Sequence, residues 1–165
     1  MLGYVVAPGR GAADQLLAEV AASLIGLGWP LAGVVQVNLE QDPAHPCQMN
    51  LQVLNGAQTV RISQDLGALS KGCRLDSAGL EQAVGLVETA LEADPRLLIV
   101  NKFGRQELDG RGFRPLIGRA MAMGVPVLTA VNAEHLAGFE VFADGLGQAL
   151  LPDPGTVLDW CRSHC

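Results

Sequence analysis

Short apolar runs alternate with stretches of helical periodicity along this chain. Strands that are buried on both faces read as unbroken apolar runs, and helices connect successive parallel strands. The alternation therefore predicts an α/β fold: a three-layer sandwich in which a mostly parallel sheet carries helices on both faces. The predicted parallel strands are LGYVVA (2–7), LAGVVQVN (31–38), RLLIVN (96–101), PVLTAV (126–131) and QALL (148–151).

The periodic stretches predict the helices and one hairpin. In the first helix an apolar face should be buried; it consists of Leu16, Leu17, Val20, Ala21, Leu24 and Ile25. MNLQVLNGAQTVRIS (49–63) is predicted to form a hairpin that turns at Asn55 and Gly56 in the type I′ conformation. Asp76 or Ser77 can cap the second helix. The predicted helices cover residues 12–28, 77–94, 112–124, 133–143 and 154–164.

The composition of the chain is typical of one compact domain, which we expect to span residues 1–165. The chain has 49% hydrophobic and 17% charged residues, which suffices for a single core. Its apolar runs are shorter than the ~20 residues of a membrane span, and no basic segment precedes the first run, so we expect a cytoplasmic protein without membrane insertion. The 4 cysteines are irregularly spaced, which favours reduced thiols. A net charge of −6 argues against a nucleic-acid partner.

Basic residues concentrate in segments broken by glycine, which indicates a local anion site in an otherwise acidic protein. Parallel sheets bind ligands beyond the carboxyl ends of their strands, where PGRG (8–11) and NKFGRQELDGRGFR (101–114) both lie. The free N–H groups of a helix that begins at Ala12 also favour an anion. The candidate ligand-binding residues are Gly9, Arg10, Gly11, Arg61, Ser63, Gln64, Asp65, Lys71, Cys73, Arg74, Asn101, Lys102, Gly104, Arg105, Arg111 and Arg114.

The same residues also have a purely structural interpretation. PGRG is a common tight-turn sequence, and charged loops are often only solvated. Carboxylates can also pair with arginines in a network that positions the loops without a ligand. The pairs in such a network would be drawn from Asp65, Asp76 and Glu107 on one side and Arg61, Arg74 and Arg105 on the other. The joint occurrence of three polar glycine loops favours a binding site over this alternative.

Two segments resemble a degenerate P-loop nucleoside triphosphatase, similar to the small kinase-like phosphatases of thermophiles and to the GTP-binding accessory protein of molybdopterin-guanine-dinucleotide synthesis. VVAPGRGAADQLL (5–17) stands where that family has a strand, G-x-x-x-x-G-K-[ST] and a helix. LLIVNKFGRQEL (97–108) resembles the strand that ends in D-E-x-G-x-x-E. The resemblance implies a P-loop-like fold with its site at these two segments.

The departures from the P-loop pattern fall on the groups that carry hydrolysis. The lysine and hydroxyl positions hold Ala12 and Ala13, or Ala13 and Asp14, depending on the alignment. Asn101 and Lys102 replace the acidic pair; an amide is a poor magnesium ligand, and a charged lysine cannot activate water. These losses argue against ordinary hydrolysis. Of the acidic residues only Glu107 matches, and it is the one candidate catalytic residue.

Most of the chain more closely resembles an uncharacterised bacterial family that is associated with genes for molybdate transport. The motifs of that family are present as Cys47 and Met49, RISQDLG (61–67), GCRLD (72–76), NKFG (101–104), Glu107 and GRGFR (110–114). The resemblance implies a link to molybdate or molybdenum-cofactor handling, and it implies no particular activity.

These features favour a protein that binds a small anion or a phosphate group without hydrolysing it. The ligand candidates are molybdate, phosphate, sulfate and a nucleotide, and no cofactor is certain. The alternative is a nucleoside triphosphatase that hydrolyses ATP or GTP at a rebuilt phosphate site, and a third class is an interaction module with an empty crevice. A homodimer is compatible with the sequence, although no helix has an apolar stripe that demands one.

Two groups of sulfur-containing residues are the remaining metal candidates. Cys47 and Met49 would point to one side of an extended backbone, where they suit a soft metal or simple packing, and packing is the more common case. Cys161, His164 and Cys165 share one helical face but lack a fourth zinc ligand at a defined spacing. We therefore predict no metal site.

Overall fold

A computed structural model describes residues 1–9, 11–39, 48–56, 58–64 and 75–165. The strands are β1 (Leu2–Val5), β2 (Leu31–Leu39), β3 (Gln48–Val53), β4 (Thr59–Arg61), β5 (Leu97–Phe103), β6 (Val127–Val131) and β7 (Gly147–Leu150). The helices are α1 (Ala12–Gly26), α2 (Ser77–Leu91), α3 (Arg105–Leu108), α4 (Arg114–Ala122), α5 (Leu136–Ala143) and α6 (Pro154–His164). The predicted α/β class is confirmed.

The described strands form one mixed sheet in the order β4-β3-β2-β5-β6-β1-β7. The neighbours from β2 through β5, β6 and β1 to β7 are parallel, whereas β3 and β4 add an antiparallel hairpin at one edge. Strands β1 and β5 are not adjacent, because β6 lies between them. Their carboxyl ends nevertheless face the same edge of the sheet.

Three layers result from the way the strands distribute their side chains. Successive side chains of a strand point to opposite faces, and in β5 Leu98 and Val100 join one apolar cluster while Leu97 and Ile99 join the other. Helices α1 and α6 cover the second cluster; α2, α4 and α5 cover the first. The predicted three-layer sandwich is therefore observed.

The helices agree with the expected pattern in part. Asp76 caps α2 by accepting a hydrogen bond from the N–H of Ala78 at 3.0 Å, and α6 has the predicted bounds. Ile25 was expected on the buried face of α1 but is 46% exposed, because it lies at the edge of the apolar stripe near the end of the helix. No helix among the described residues is long and apolar enough to cross a membrane.

The loops differ more from the sequence prediction. Neither Asn55 nor Gly56 has the positive φ that a type I′ turn requires; the N–H of Val53 bonds to the carbonyl of Gln58, so the hairpin closes around a longer loop. The segment after β5 was expected to be irregular but contains the single turn of α3. The predicted helix 112–124 is the shorter α4, and a 3₁₀ turn at Ala133–His135 precedes α5.

Candidate functional site

A cleft of about 1310 Å³ lies at the carboxyl edge of the parallel strands. The segment after β1, the N-terminus of α1, the end of β5 with α3, and the residues after β6 all contribute to its lining. Of the predicted site residues that the structure describes, those that line it are Gly9, Gly11, Asn101, Lys102, Gly104, Arg105 and Glu107. The two segments that resemble the P-loop pattern therefore meet in one cleft although β6 separates their strands.

The glycine turn after β1 leads directly into α1. Gly9 and Gly11 have φ angles of 95° and 80°, and Gly11 caps the helix without a side-chain hydrogen bond. Asp14 lies in the first turn of α1, is 7% exposed and lines the cleft. A helix N-terminus favours negative charge, so this carboxylate stabilises the helix and also adds negative charge to the cleft. Arg10, a predicted ligand residue, lies outside the described residues.

Asn101 connects three elements at the floor of the cleft. Its side-chain N–H₂ donates to Asp14 Oδ1 at 2.9 Å, and its Oδ1 accepts the backbone N–H of Gln36 at 2.8 Å. The side chain is 3% exposed, so these two bonds satisfy a buried amide that would otherwise be costly. Asn101 thereby joins β5 to β2 and to the first turn of α1. Its amide needs both its donor and its acceptor for this role.

Glu107 holds the loop around α3 together. Its Oε2 accepts the N–H of Gly104 at 2.9 Å, and its Oε1 accepts the N–H of Phe113 at 3.0 Å. The residue is only 4% exposed. A Cβ at Gly112 would lie 2.3 Å from Glu107 Oε1, so glycine is required there for the close approach. Because backbone donors occupy both oxygens, the geometry favours a positioning role over the predicted catalytic one.

The cations of the loop after β5 do not all converge on the cleft. Arg105 lines it, but its Nε lies 3.3 Å from Asp109, and Arg111 contacts the same carboxylate at 3.4 Å. Arg114 donates to the carbonyls of Glu107 and Leu108 at 3.2 and 3.4 Å. The alternative pairing of Arg105 with Glu107 is not observed, since Asp109 takes that place. Lys102 lines the cleft from the end of β5.

The described predicted residues near the hairpin make hydrogen bonds to neighbouring groups of the chain. Arg61 Nε donates to the carbonyl and to Oγ of Ser63, at 3.0 and 3.3 Å, and Gln64 donates to the carbonyl of Leu75 at 3.1 Å. Arg61, Ser63 and Gln64 are not among the described residues that line the cleft. The other predicted residues on this side lie outside the described part of the chain: Asp65, Lys71, Cys73 and Arg74, together with Cys47.

Sequence reasoning missed two properties of the cleft. Asp14 entered only as an alignment position, although an acidic residue in the first turn after a glycine turn is a recognisable signal. The apolar wall was missed because it comes from four separated segments; it consists of Val34, Met49, Leu51, Ile62, Leu75 and Leu80. Among the described lining residues, Asp14 and Glu107 balance Lys102 and Arg105 in formal charge. The described lining is therefore not strongly cationic.

The C-terminal thiols lie away from the cleft. Cys161 lies on the buried face of α6, and burial raises its pKa to about 12; burial likewise raises the pKa of Cys165 to about 11. His164 Nδ1 lies 2.8 Å from the carbonyl of Trp160. No group of three His, Cys, Asp or Glu residues with metal-binding geometry exists in the described ranges.

Comparison with solved structures places the fold in the P-loop-NTPase-like α/β class. The crystal structure of THEP1 from the hyperthermophile Aquifex aeolicus matches with a TM-score of 0.62 and 15% identity, over 99% of this chain and 95% of that one. The chain belongs to the DUF2478 family, described as a protein of unknown function, whose model matches residues 2–160. It is also 36% identical over 151 residues to the molybdenum import ATP-binding protein ModC 2 of Bradyrhizobium diazoefficiens. That alignment covers 90% of this chain but only 17% of the relative.

Proposed function

We propose that residues 1–165 form a single domain that binds the oxyanion or phosphate group of a ligand in this cleft and does not hydrolyse it. The observation that supports the proposal is the meeting of the Gly9 and Gly11 turn, the start of α1 and Lys102 in one cleft. Backbone N–H groups at a helix N-terminus bind oxyanions, and a lysine adds charge-assisted hydrogen bonds. In this arrangement Lys102 and Arg105 contact the anionic group.

We expect no hydrolysis because of the groups that replace the P-loop machinery. No lysine follows Gly11 in α1, so the charge that neutralises the outer phosphates is missing. Asn101 places an amide at the strand end, and both ends of that amide are already engaged. Glu107 keeps both oxygens on backbone donors of its own loop, so the orientation of its carboxylate is set by that loop. The cleft is better suited to recognition than to turnover.

The relative named as a molybdenum import ATP-binding protein supports a role in molybdenum handling. The aligned segment is a small part of that protein, so the ATP binding named for the whole protein does not transfer to this chain. We propose that the domain recognises its ligand in the cytoplasm in connection with molybdenum uptake. Molybdate, phosphate, sulfate and nucleotides all carry the group that the cleft would recognise.

Titration calorimetry with molybdate, phosphate, sulfate, ATP and GTP tests the proposal, combined with a phosphate-release assay for both nucleotides. We expect binding without turnover, and about tenfold weaker binding in Lys102→Ala because a charge-assisted hydrogen bond is lost. Arg119→Ala is the matched control, since Arg119 pairs with Glu88 and Glu92 instead of facing the cleft. Phosphate release that disappears in both Lys102→Ala and Glu107→Ala would instead establish a nucleoside triphosphatase.

A further inference from the structure

The cleft is much larger than a bare oxyanion. A tetrahedral oxyanion displaces only a few water molecules, each of about 30 Å³, whereas the cleft measures about 1310 Å³. Cavities of roughly 300–1,000 Å³ commonly hold drug-sized organic molecules. A lone oxyanion at the glycine turn would leave most of this space to water.

One side of the cleft is apolar. Met49 and Leu75 are half-buried at its surface, and behind them lie Leu51, Ile62 and Leu80, which are at most 6% exposed. These side chains come from β3, from the segment after β4 and from the start of α2. The wall therefore lies on the side of the sheet that is opposite α1. The glycine turn and the wall are therefore two chemically different ends of the same cleft. Methionine is well suited to contact an aromatic or alkyl group because its thioether is polarisable and adaptable.

The charges of the lining residues also favour a ligand with an apolar part. The carboxylates of Asp14 and Glu107 offset Lys102 and Arg105 among the described lining residues, so these four side chains give a bare dianion little net Coulomb attraction. The free energy gained by burying apolar surface does not depend on that charge balance. It scales with the apolar area that is removed from water. A ligand with an apolar part gains affinity from the wall that a bare oxyanion cannot gain.

We infer that the ligand is an organic molecule that carries one phosphate-like oxyanion group on an apolar or aromatic body, and that bare molybdate or phosphate is not the preferred ligand. The oxyanion group lies at the Gly9 and Gly11 turn near Lys102, and the body lies against Met49 and Leu75. This inference rests on the proposed function, because it needs the oxyanion site. It narrows the ligand class to organic phosphates and related esters.

A series of probes with the same anionic group tests the inference: inorganic phosphate, phenyl phosphate and 1-naphthyl phosphate, with molybdate as the bare metal oxyanion. We expect 1-naphthyl phosphate to bind at least tenfold more tightly than inorganic phosphate or molybdate, with phenyl phosphate between them. The heat-capacity change of binding should become more negative along the series, because more apolar surface is buried. This measurement needs no variant and is independent of any folding defect.

Variants separate the two ends of the cleft. Met49→Ser should reduce the preference for 1-naphthyl phosphate over inorganic phosphate at least threefold, whereas Lys102→Ala should weaken all probes by a similar factor. Val141→Ser is the matched control, because Val141 is 82% exposed on α5, and it should leave the preference intact. Equal affinity for all probes would overturn the inference and leave the proposed function standing. Failure of every probe, molybdate included, to bind would overturn the proposed function itself.

Discussion

Replacement of Glu107 by glutamine distinguishes a positioning carboxylate from a catalytic one. The carboxylate accepts two backbone N–H groups, from Gly104 and Phe113, while only 4% of the residue is exposed. Glutamine keeps one acceptor oxygen but presents an N–H₂ group to the second backbone donor. One N–H therefore loses its partner and faces another donor, at a cost of about 1–3 kcal/mol for an unsatisfied buried group. We expect Glu107→Gln to lower the free energy of unfolding by about 2 kcal/mol.

Urea unfolding followed by circular dichroism measures this change directly, because the shift in midpoint at constant slope gives the difference in stability. Glu140→Gln is the matched control: Glu140 is exposed on α5, and surface substitutions usually change stability by less than about 0.5 kcal/mol. Glu107→Ala should cost more than Glu107→Gln, since both backbone donors then lose their acceptors. The order of stability should be wild type, then glutamine, then alanine.

If Glu107 were a catalytic base, its replacement would remove activity and leave stability nearly unchanged. A carboxylate that is held ready for water gains little stability from its own contacts, and functional sites often sacrifice stability. If Glu107→Gln unfolds at the same urea concentration as Glu140→Gln and removes phosphate release from ATP or GTP, the positioning role is refuted.

Three further predictions concern the fold. Gly33→Ala should destabilise the protein by about 3 kcal/mol or more in urea unfolding, since Gly33 has a φ of +120° and a Cβ there would lie 1.8 Å from the carbonyl oxygen of Ile99. Gly85 lies on α2, where a Cβ would meet only open space, so Gly85→Ala should instead stabilise the protein by about 0.5–1 kcal/mol. Asp76→Ala should cost about 1 kcal/mol through the lost cap of α2, measured in the same way. Burial raises the pKa of Cys161 from 9.0 to about 12, so between these pH values the thiol ionises in the unfolded state but stays protonated in the folded state. The free energy of unfolding should therefore fall between pH 9 and 12, and it should fall less in Cys161→Ala.

The parallel core of the fold could be predicted from sequence because burial on both faces leaves a local signature. The first four residues of β5, LLIV, read as an unbroken apolar run, and they do alternate between two separate apolar clusters. Helix α6 was predicted with its observed bounds, since Asp153 caps it and Pro154 occupies its first position. These signals lie within a few residues of one another and do not depend on distant contacts.

Loop geometry could not be predicted in the same way. The Asn55 and Gly56 pair is a strong type I′ signal, but the pairing of Val53 with Gln58 sets a longer loop. Helix α3 has only one turn and no periodicity, and it depends on the contact between Glu107 and the N–H of Gly104. In both cases a tertiary or cross-strand contact decides the local conformation, and a sequence window does not contain it.

The location of the cleft followed from topology, whereas its charge did not. Parallel strands bring their carboxyl ends to one edge wherever they stand in the sheet, so Gly9 and Lys102 share the cleft despite the intervening β6. Arg105 and Arg111 were expected to supply cationic charge, but the nearby carboxylate of Asp109 pairs with both. Pairing within a loop is a competition between local and distant partners, and the density of cations in the sequence does not reveal its outcome.

The contact between Asp14 and Asn101 explains why the P-loop-like fold tolerates an amide at the end of β5. In the P-loop pattern a hydroxyl stands at the start of the helix and a carboxylate at the strand end; here, in one alignment, Asp14 brings the carboxylate from the helix and Asn101 brings the neutral group from the strand. The amide must donate to Asp14 and accept from the N–H of Gln36 at the same time. An aspartate at position 101 could accept but not donate, and it would face the Asp14 carboxylate at hydrogen-bond distance. The two positions are therefore coupled: Asn101→Asp alone would replace this hydrogen bond by repulsion between two carboxylates unless a proton or a cation lies between them.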